Sequence, residues 1–265
     1  LVTGVQTCAL PIYRSWSRAL VLDQLVHMVH LHLMRIRSPD VSFAFLNAGA
    51  HIQHHYFLNS KAVQSSGRNP EWYCPKDADP LLDLLRAYDS IVGDYLAMSR
   101  RGVRVLIATG LTQIPYDRVK YYYRLKDHAE FARGLGLVFK QALPRMTRDF
   151  EMTFEQEVDQ KRALAVLGGA KMRRDGKSVF GEIEERSNSL FVTLTYPEEI
   201  LRDDIVDTPA GGIEQFGDKV AFVAVKNGMH STRGFAFFSK DVPAQLPREP
   251  VHVSSLFRLT MESAG

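Results

Sequence analysis

Two long segments of the chain repeat apolar residues every three or four positions, and this pattern predicts amphipathic helices at residues 15–37 and 79–99. Pro39 ends the first segment, because proline cannot continue a helix and disfavours helical geometry at the residue before it. The second segment opens with Asp79 as an N-cap and Pro80 as the first helical residue. These local signals place both helices.

Each predicted helix is followed by a short, almost wholly apolar run, at residues 41–46 and 103–109. Runs of this length between polar residues predict strands that are buried on both faces. A helix, a strand, a second helix and a second strand in this order favour crossover connections. The sequence therefore predicts an α/β fold, in which a mostly parallel sheet has helices on both faces.

The second half of the chain has antiparallel features. Residues 150–154 alternate apolar and polar side chains, as half-buried strands do, and residues 189–196 are a further predicted strand. Asp175-Gly176 is a strong turn signal. We expect an antiparallel insertion, a cap or a small subdomain, at about residues 145–200. It would belong to a single α/β domain that spans residues 13–265.

The amino-acid composition does not change the predicted fold. Of the 265 residues, 45% are hydrophobic and 24% are charged, which is ordinary for a globular protein. The 33 basic and 30 acidic residues are interspersed and leave a net charge of +3, which argues against nucleic acid as a partner. No uncharged apolar run reaches the roughly 18 residues that a membrane span needs. Two cysteines make no disulfide framework and leave the compartment open. We expect a soluble protein of the bacterial cytoplasm or periplasm.

The residues that can carry chemistry follow apolar runs. His51, His54 and His55 come soon after the first predicted strand, and His230 follows another apolar run at residues 220–225. Ligands of open α/β sheets bind at the carboxyl ends of strands, where such side chains meet. Adjacent strand residues point in opposite directions, so at most one of His54 and His55 is expected to face the site. The alternative for each histidine is a polar residue at a strand end.

The order of these elements resembles the alkaline phosphatase superfamily, with nucleotide pyrophosphatase/phosphodiesterase-like and sulfatase-like members nearest. A D-x-x-x-H turn of that family corresponds here to Asn47-Ala48-Gly49-Ala50-His51. Its helix with an aspartate before a small residue corresponds to Tyr88-Asp89-Ser90, and its late G-x-H-G-like turn corresponds to Gly228-Met229-His230-Ser231. The resemblance covers about residues 16–265.

This resemblance implies a metal-dependent hydrolase of phosphate or sulfate esters whose substrate is a small anionic ester. It implies one divalent ion, zinc or manganese, with His51, His230 and Asn47 as ligands. The residues that it places around the metal or against the substrate are His54, His55, Thr109, Thr112 and Gln113.

The sequence departs from the family pattern at several ligand positions. Asn47 stands where the family has an aspartate, and Gly110 and Leu111 stand where its Asp-His pair binds a second metal. Because lost ligands and lost negative charge weaken a divalent site, we expect weak binding of a single metal. The family nucleophile would lie upstream, so the catalytic residues are unknown and this chain is expected to be inactive. The alternative is a degenerate, non-catalytic member that binds an anionic ligand or a protein partner.

The first dozen residues need a separate interpretation. Residues 2–12, VTGVQTCALPI, look like a translated sequencing adapter on a metagenomic read. Residues 1–12 are therefore predicted to be an artefact and are left out of the fold prediction. The alternative is a genuine N-terminal strand.

Overall fold

The computed structural model describes residues 14–64, 67–239 and 249–264, so the predicted artefact at residues 1–12 lies outside the described part. The chain divides into two compact units. The first unit consists of Leu1–Arg118 together with Asn227–Gly265, and the second unit is Val119–Lys226. No helix of the described residues is both long enough and apolar enough to cross a membrane.

The two predicted long helices form with the expected caps. The Asp79 side chain accepts a hydrogen bond from the Leu82 backbone N–H at 3.0 Å, and Pro80 is the first residue of its helix. The other helix ends at Ser38, which adopts a left-handed conformation just before Pro39. In chain order the helices are α1 (Ser17–Arg37), α2 (Ala48–Tyr56), a 3-10 turn (Phe57–Asn59), α3 (Pro80–Ser99), α4 (His128–Gly134), α5 (Glu157–Gly168), α6 (Phe216–Lys219) and α7 (Ser255–Ala264).

The strands of the described residues form four small sheets. In chain order they are β1 (Leu106–Ala108), β2 (Thr112–Leu125), β3 (Gln141–Pro144), β4 (Asp149–Thr153), β5 (Lys171–Met172), β6 (Glu184–Arg186), β7 (Ser189–Thr193), β8 (Val206–Thr208), β9 (Gly211–Ile213), β10 (Val220–Ser231) and β11 (Ala236–Phe238). The sheet orders are β1-β11, β10-β2, β3-β4-β7-β6 and β5-β8-β9.

The predicted mostly parallel sheet is wrong, because the strands of the described residues pair antiparallel. Residues 41–46 form no strand, and Phe43 and Phe45 are 79% and 82% exposed. The second predicted strand is reduced to β1, whose partner is β11, in a register that joins Leu106 to Phe238. With one predicted strand missing and the other paired to a late antiparallel partner, the crossover arrangement does not form.

The second unit is organised around one apolar core. Alternate residues of β4 and β7 face this core, and the register joins Phe150 to Val192 and Met152 to Leu190. Helix α5 adds Ala163, Val166 and Leu167 to the same cluster. Strands β4 and β7 lie within one residue of where the sequence pattern predicted strands to begin. The predicted antiparallel region at about residues 145–200 falls within this unit.

The first unit has a smaller buried cluster, to which α2 and α3 contribute most of the residues. The Trp16 ring is buried in it, and its indole N–H donates to the Asp83 carboxylate at 3.0 Å. Burial raises the pKa of the Cys74 thiol to about 12, and the carboxylates of Asp79 and Asp77 add to the shift. The members of this cluster are Trp16, Ala48, Ile52, Tyr56, Cys74, Leu81 and Leu84.

Candidate functional site

The three clustered histidines of the sequence lie on α2, not at the end of a strand. Helix α2 buries Ala48, Ile52 and Tyr56, which recur every four residues and therefore share one face. His51 and His55 have the same spacing on another face, with ring centroids 4.7 Å apart. The helical spacing thus places two imidazoles next to each other along α2, with their ring planes inclined by 48°.

The N-terminus of α2 is held by a buried carboxylate from α1. Asp23 accepts hydrogen bonds from the backbone N–H groups of Asn47, at 3.1 Å, and Ala48, at 2.8 Å. The Tyr88 hydroxyl donates to the same carboxylate at 2.7 Å and accepts from the Gly49 N–H at 3.0 Å. These contacts satisfy three of the free N–H groups at the start of the helix and place a negative charge at its positive end.

The pKa of the Tyr88 phenol lies well above its ordinary range, so the hydroxyl stays protonated. Burial raises its pKa, and the hydrogen bond that it donates to Asp23 raises it further. A neutral hydroxyl can donate to the carboxylate and accept from an amide at once, which is the role it has here. The start of α2 is therefore an internal network in which the amides of Asn47, Ala48 and Gly49 already have partners.

A second polar network fixes the end of β10 against α2. The buried Asn227 side chain accepts from the Leu58 N–H at 3.1 Å and donates to the Asn69 side chain at 2.7 Å. Asn69 in turn donates to the backbone carbonyl of His55 at 2.9 Å. Each amide satisfies buried backbone or side-chain groups, so the network sets the position of the residues that follow Asn227.

Gly228 allows β10 to approach α2 closely. A Cβ atom at this position would lie 2.9 Å from the backbone oxygen of Gln53 and 3.2 Å from a side-chain atom of Phe57. Only glycine fits so near another backbone without a shift. The approach brings the Gly228 carbonyl to His54 and carries His230 past the same helix.

The side chains of His54 and His230 approach each other through their ring nitrogens. Their Nε2 atoms lie 3.1 Å apart, and their ring centroids are separated by 4.8 Å. The other ring nitrogen of His54, Nδ1, lies 3.1 Å from the Gly228 carbonyl oxygen, which can only accept. His54 therefore carries its proton on Nδ1, and in the neutral ring the Nε2 lone pair points toward His230.

The structure brings together some of the sequence-predicted site residues in a different pairing. His230 contacts His54, while His51 lies next to His55, and the ring centroids of His54 and His55 are 6.4 Å apart. The Asn47 backbone N–H is bound to Asp23, and its side chain does not cap α2. That His51, His230 and Asn47 bind one metal stays a prediction.

The remaining predicted residues are held mainly by the backbone. The Thr112 hydroxyl donates to the Arg233 carbonyl at 2.8 Å, and the Thr109 hydroxyl accepts from the Phe235 N–H at 2.9 Å. The Gln113 side chain donates to the Ala50 carbonyl at 3.1 Å, and its buried Oε1 has no hydrogen-bond partner among the described residues. Gln113 thus ties β2 to α2 and leaves one acceptor without a bond.

The implied divalent metal is only partly matched by the residues of the site. Within residues 14–64, 67–239 and 249–264, no group of three or more His, Cys, Asp or Glu side chains is arranged to hold a metal ion. A catalytic zinc ion needs three protein ligands and one open position. The described residues offer a pair of imidazoles, so they do not form a complete catalytic zinc centre.

Sequence reasoning missed the residues that position this site. Asp23 is the only acidic residue of α1, and it stands within an otherwise apolar and basic helix, which is the one signal that could have drawn attention to it. Tyr88 and Asn227 stood beside residues of interest without being singled out. Their roles depend on contacts with partners far along the chain, such as that between Asn227 and Asn69.

Comparison with known proteins found no match: no family model, no curated protein and no solved structure resembles this chain significantly.

Proposed function

We propose that this chain is a degenerate protein that resembles hydrolases of phosphate or sulfate esters. It binds one divalent ion, zinc or manganese, weakly between the imidazoles of His54 and His230. The observation that carries the proposal is the 3.1 Å separation of the two Nε2 atoms. The proposal keeps the predicted metal and substrate class and replaces His51 by His54 as the partner of His230.

The separation of the two nitrogens suits a shared metal ion. If each lies ~2.0–2.1 Å from one zinc ion, as zinc–imidazole bonds do, nitrogens 3.1 Å apart subtend roughly 100° at the metal. This angle lies between the ~90° of octahedral and the ~109° of tetrahedral coordination. The distance between the two nitrogens is therefore compatible with a shared ion.

The environment of His54 supports the same assignment. Imidazoles that bind metals commonly donate their other N–H to a backbone carbonyl, which fixes the ring and its tautomer. His54 has this arrangement, since Nδ1 donates to the Gly228 carbonyl. The ring orientation is thus set before any metal arrives.

Two imidazoles supply less than a catalytic site requires, and this is why we propose weak binding without turnover. The hydroxyls of Thr109 and Thr112, which the resemblance places around the metal or against the substrate, are bonded to the backbone of residues 233–235. A nucleophile needs an activating base or metal beside it. We therefore expect no appreciable cleavage of aryl phosphates or aryl sulfates by this chain.

Calorimetry with zinc tests the proposal on the parent chain and three single variants. We expect one weak site in the parent, its loss in His54→Ala and in His230→Ala, and no change in His32→Ala, which removes an exposed imidazole of α1. Equal binding by the parent and both cluster variants would refute the pairing, as would tight binding at two sites.

A second candidate function is the binding of a small anion without a metal. It is favoured by the row of imidazoles at His51, His55, His54 and His230, with neighbouring centroids 4.7, 6.4 and 4.8 Å apart. Imidazoles become cationic in mildly acidic solution and then attract anions. Inorganic phosphate that binds metal-free protein at acidic pH, and is lost in His54→Ala, would favour this candidate over the first.

A further inference from the structure

Helix α1 packs its polar side toward the rest of the first unit. Asp23 and His27 are buried, although they are the kinds of residue that usually face water. Both are used there: Asp23 binds the start of α2, and the His27 Nε2 lies 2.9 Å from the Asp94 carboxylate. His30 continues the same side with a 2.8 Å bond to the Tyr95 hydroxyl.

The opposite side of α1 is apolar and exposed. At 100° per residue, its seven large apolar side chains fall within an arc of about 140°. Each of them is between 41% and 59% exposed. We call this surface the outer stripe; it consists of Val21, Leu22, Leu25, Met28, Val29, Leu33 and Ile36. The same arc holds the exposed side chains of Arg18 and His32, so the outer stripe is an apolar surface with two polar residues within it. Clustered exposed apolar side chains are typical of interaction sites.

All the exposed charges of α1 are positive. Arg18 lies near its start and Arg35 and Arg37 lie in its last turn, and the three side chains are exposed. The helix has one acidic residue, Asp23, which is buried. An aliphatic stripe with arginines at both ends is the pattern of a helix that lies in the interface of a membrane rich in anionic lipids.

We propose that the outer stripe binds the surface of an anionic lipid bilayer, with α1 parallel to the membrane plane. The aliphatic side chains enter the boundary of headgroups and acyl chains, and the arginines extend toward lipid phosphates. Phe43 and Phe45, 79% and 82% exposed just beyond α1, add aromatic side chains of the type that membrane interfaces favour. Because α1 is too polar to cross a bilayer, it would lie on the membrane surface.

Charge distinguishes this partner from a second copy of the chain. If two outer stripes packed antiparallel, Arg18 of one copy would face Arg35 and Arg37 of the other, and a parallel pair would place each arginine beside its equivalent. Like charges so placed oppose association. An anionic surface instead neutralises every arginine, so the same charges favour binding.

Sedimentation with vesicles tests this proposal on the full chain. We expect the parent to sediment with phosphatidylcholine vesicles that contain phosphatidylglycerol, more weakly with pure phosphatidylcholine, and less as salt is added. Leu25→Glu combined with Val29→Glu should lower the partition coefficient by on the order of 100-fold. Arg18→Gln should lower it by about fivefold on the anionic vesicles.

Two control variants carry the same chemical changes elsewhere. Val158→Glu changes an exposed aliphatic residue of α5, and Arg86→Gln removes an exposed charge from α3. Both should bind vesicles as the parent does. Circular dichroism checks that each variant is folded. The decrease of vesicle binding with added salt is measured on the parent chain and does not depend on any variant.

Three results would overturn the proposal. One is a parent that stays in the supernatant with anionic vesicles at low salt. Another is vesicle binding that the double glutamate variant retains. The third is a parent that does not bind vesicles but dimerises with increasing concentration, while the double glutamate variant stays monomeric. This result would assign the outer stripe to a second copy of the chain.

Discussion

The two units of this protein bury different kinds of side chain. The second unit gathers a large cluster of buried apolar residues, with Phe150, Met152 and Leu190 at its centre. The first unit has a small apolar cluster, together with hydrogen bonds that buried Asp23 accepts and that buried Asn227 accepts and donates. Seven large apolar side chains of its helix α1 are exposed.

This difference separates residues that stabilise the fold from residues that position a site. Apolar burial is non-directional and stabilises whatever shape it fills, whereas hydrogen bonds hold their partners in one geometry. The histidine cluster and the outer stripe both belong to the first unit. We infer that the polar interior of that unit serves to place functional side chains.

The largest effect should come from the apolar core of the second unit. Phe150→Ala is expected to lower the free energy of unfolding by ~3–5 kcal/mol, because it removes a fully buried ring and leaves a cavity. Urea unfolding followed by circular dichroism measures this change. Leu201→Ala, at an exposed position, should cost less than about 0.5 kcal/mol, and equal losses would mean that the core does not stabilise the unit.

The next largest effect should come from the carboxylate that holds α2. Asp23→Asn keeps the size of the side chain but weakens bonds to two backbone N–H groups and the Tyr88 hydroxyl, so we expect a loss of about 2–3 kcal/mol. Both tryptophans lie in the first unit, and buried Trp16 makes fluorescence a probe of its unfolding.

The matched control for this variant is Asp89→Asn, an exposed aspartate of α3. It should leave the fluorescence transition where it is in the parent, since surface substitutions rarely change stability by more than about 0.5 kcal/mol. If both variants shifted the transition equally, net charge rather than the Asp23 network would be responsible.

A smaller effect is expected at the close approach between β10 and α2. Gly228→Ala places a methyl group against the Gln53 backbone oxygen, and we expect a cost of ~1–3 kcal/mol together with a displaced His54. Gly93→Ala is the control, because nothing lies within 4 Å of its added methyl group in α3. It should stabilise the protein by roughly 0.5–1 kcal/mol, as alanine does in a helix interior.

The helices could be predicted where their signals are local. Asp79 and Pro80 mark the start of α3, and Pro39 marks the end of α1. These signals act on backbone groups only a few residues away along the chain. The apolar run at 41–46 has no such local signal. A strand needs a partner, and this run has none among the described residues, so apolar composition alone predicted a strand that does not form.

The candidate site could be predicted by residue type but not by pairing. The sequence identifies histidines at 51, 54, 55 and 230, but the distances between their rings depend on whether residues 51–55 form a strand or a helix. On α2, three- and four-residue spacings decide which rings are neighbours. That His54 meets His230 depends on Gly228 and Asn227, whose partners lie far away in the sequence.

The most direct test of the account follows the imidazole nitrogens of the parent chain by NMR while zinc is added. We predict that free His54 is protonated on Nδ1, and that the Nε2 signals of His54 and His230 shift together along one gradual binding curve as zinc is added, while those of His51 and His55 change less. A joint response of His51 and His230, with His54 unaffected, would contradict the pairing on which the proposed function rests.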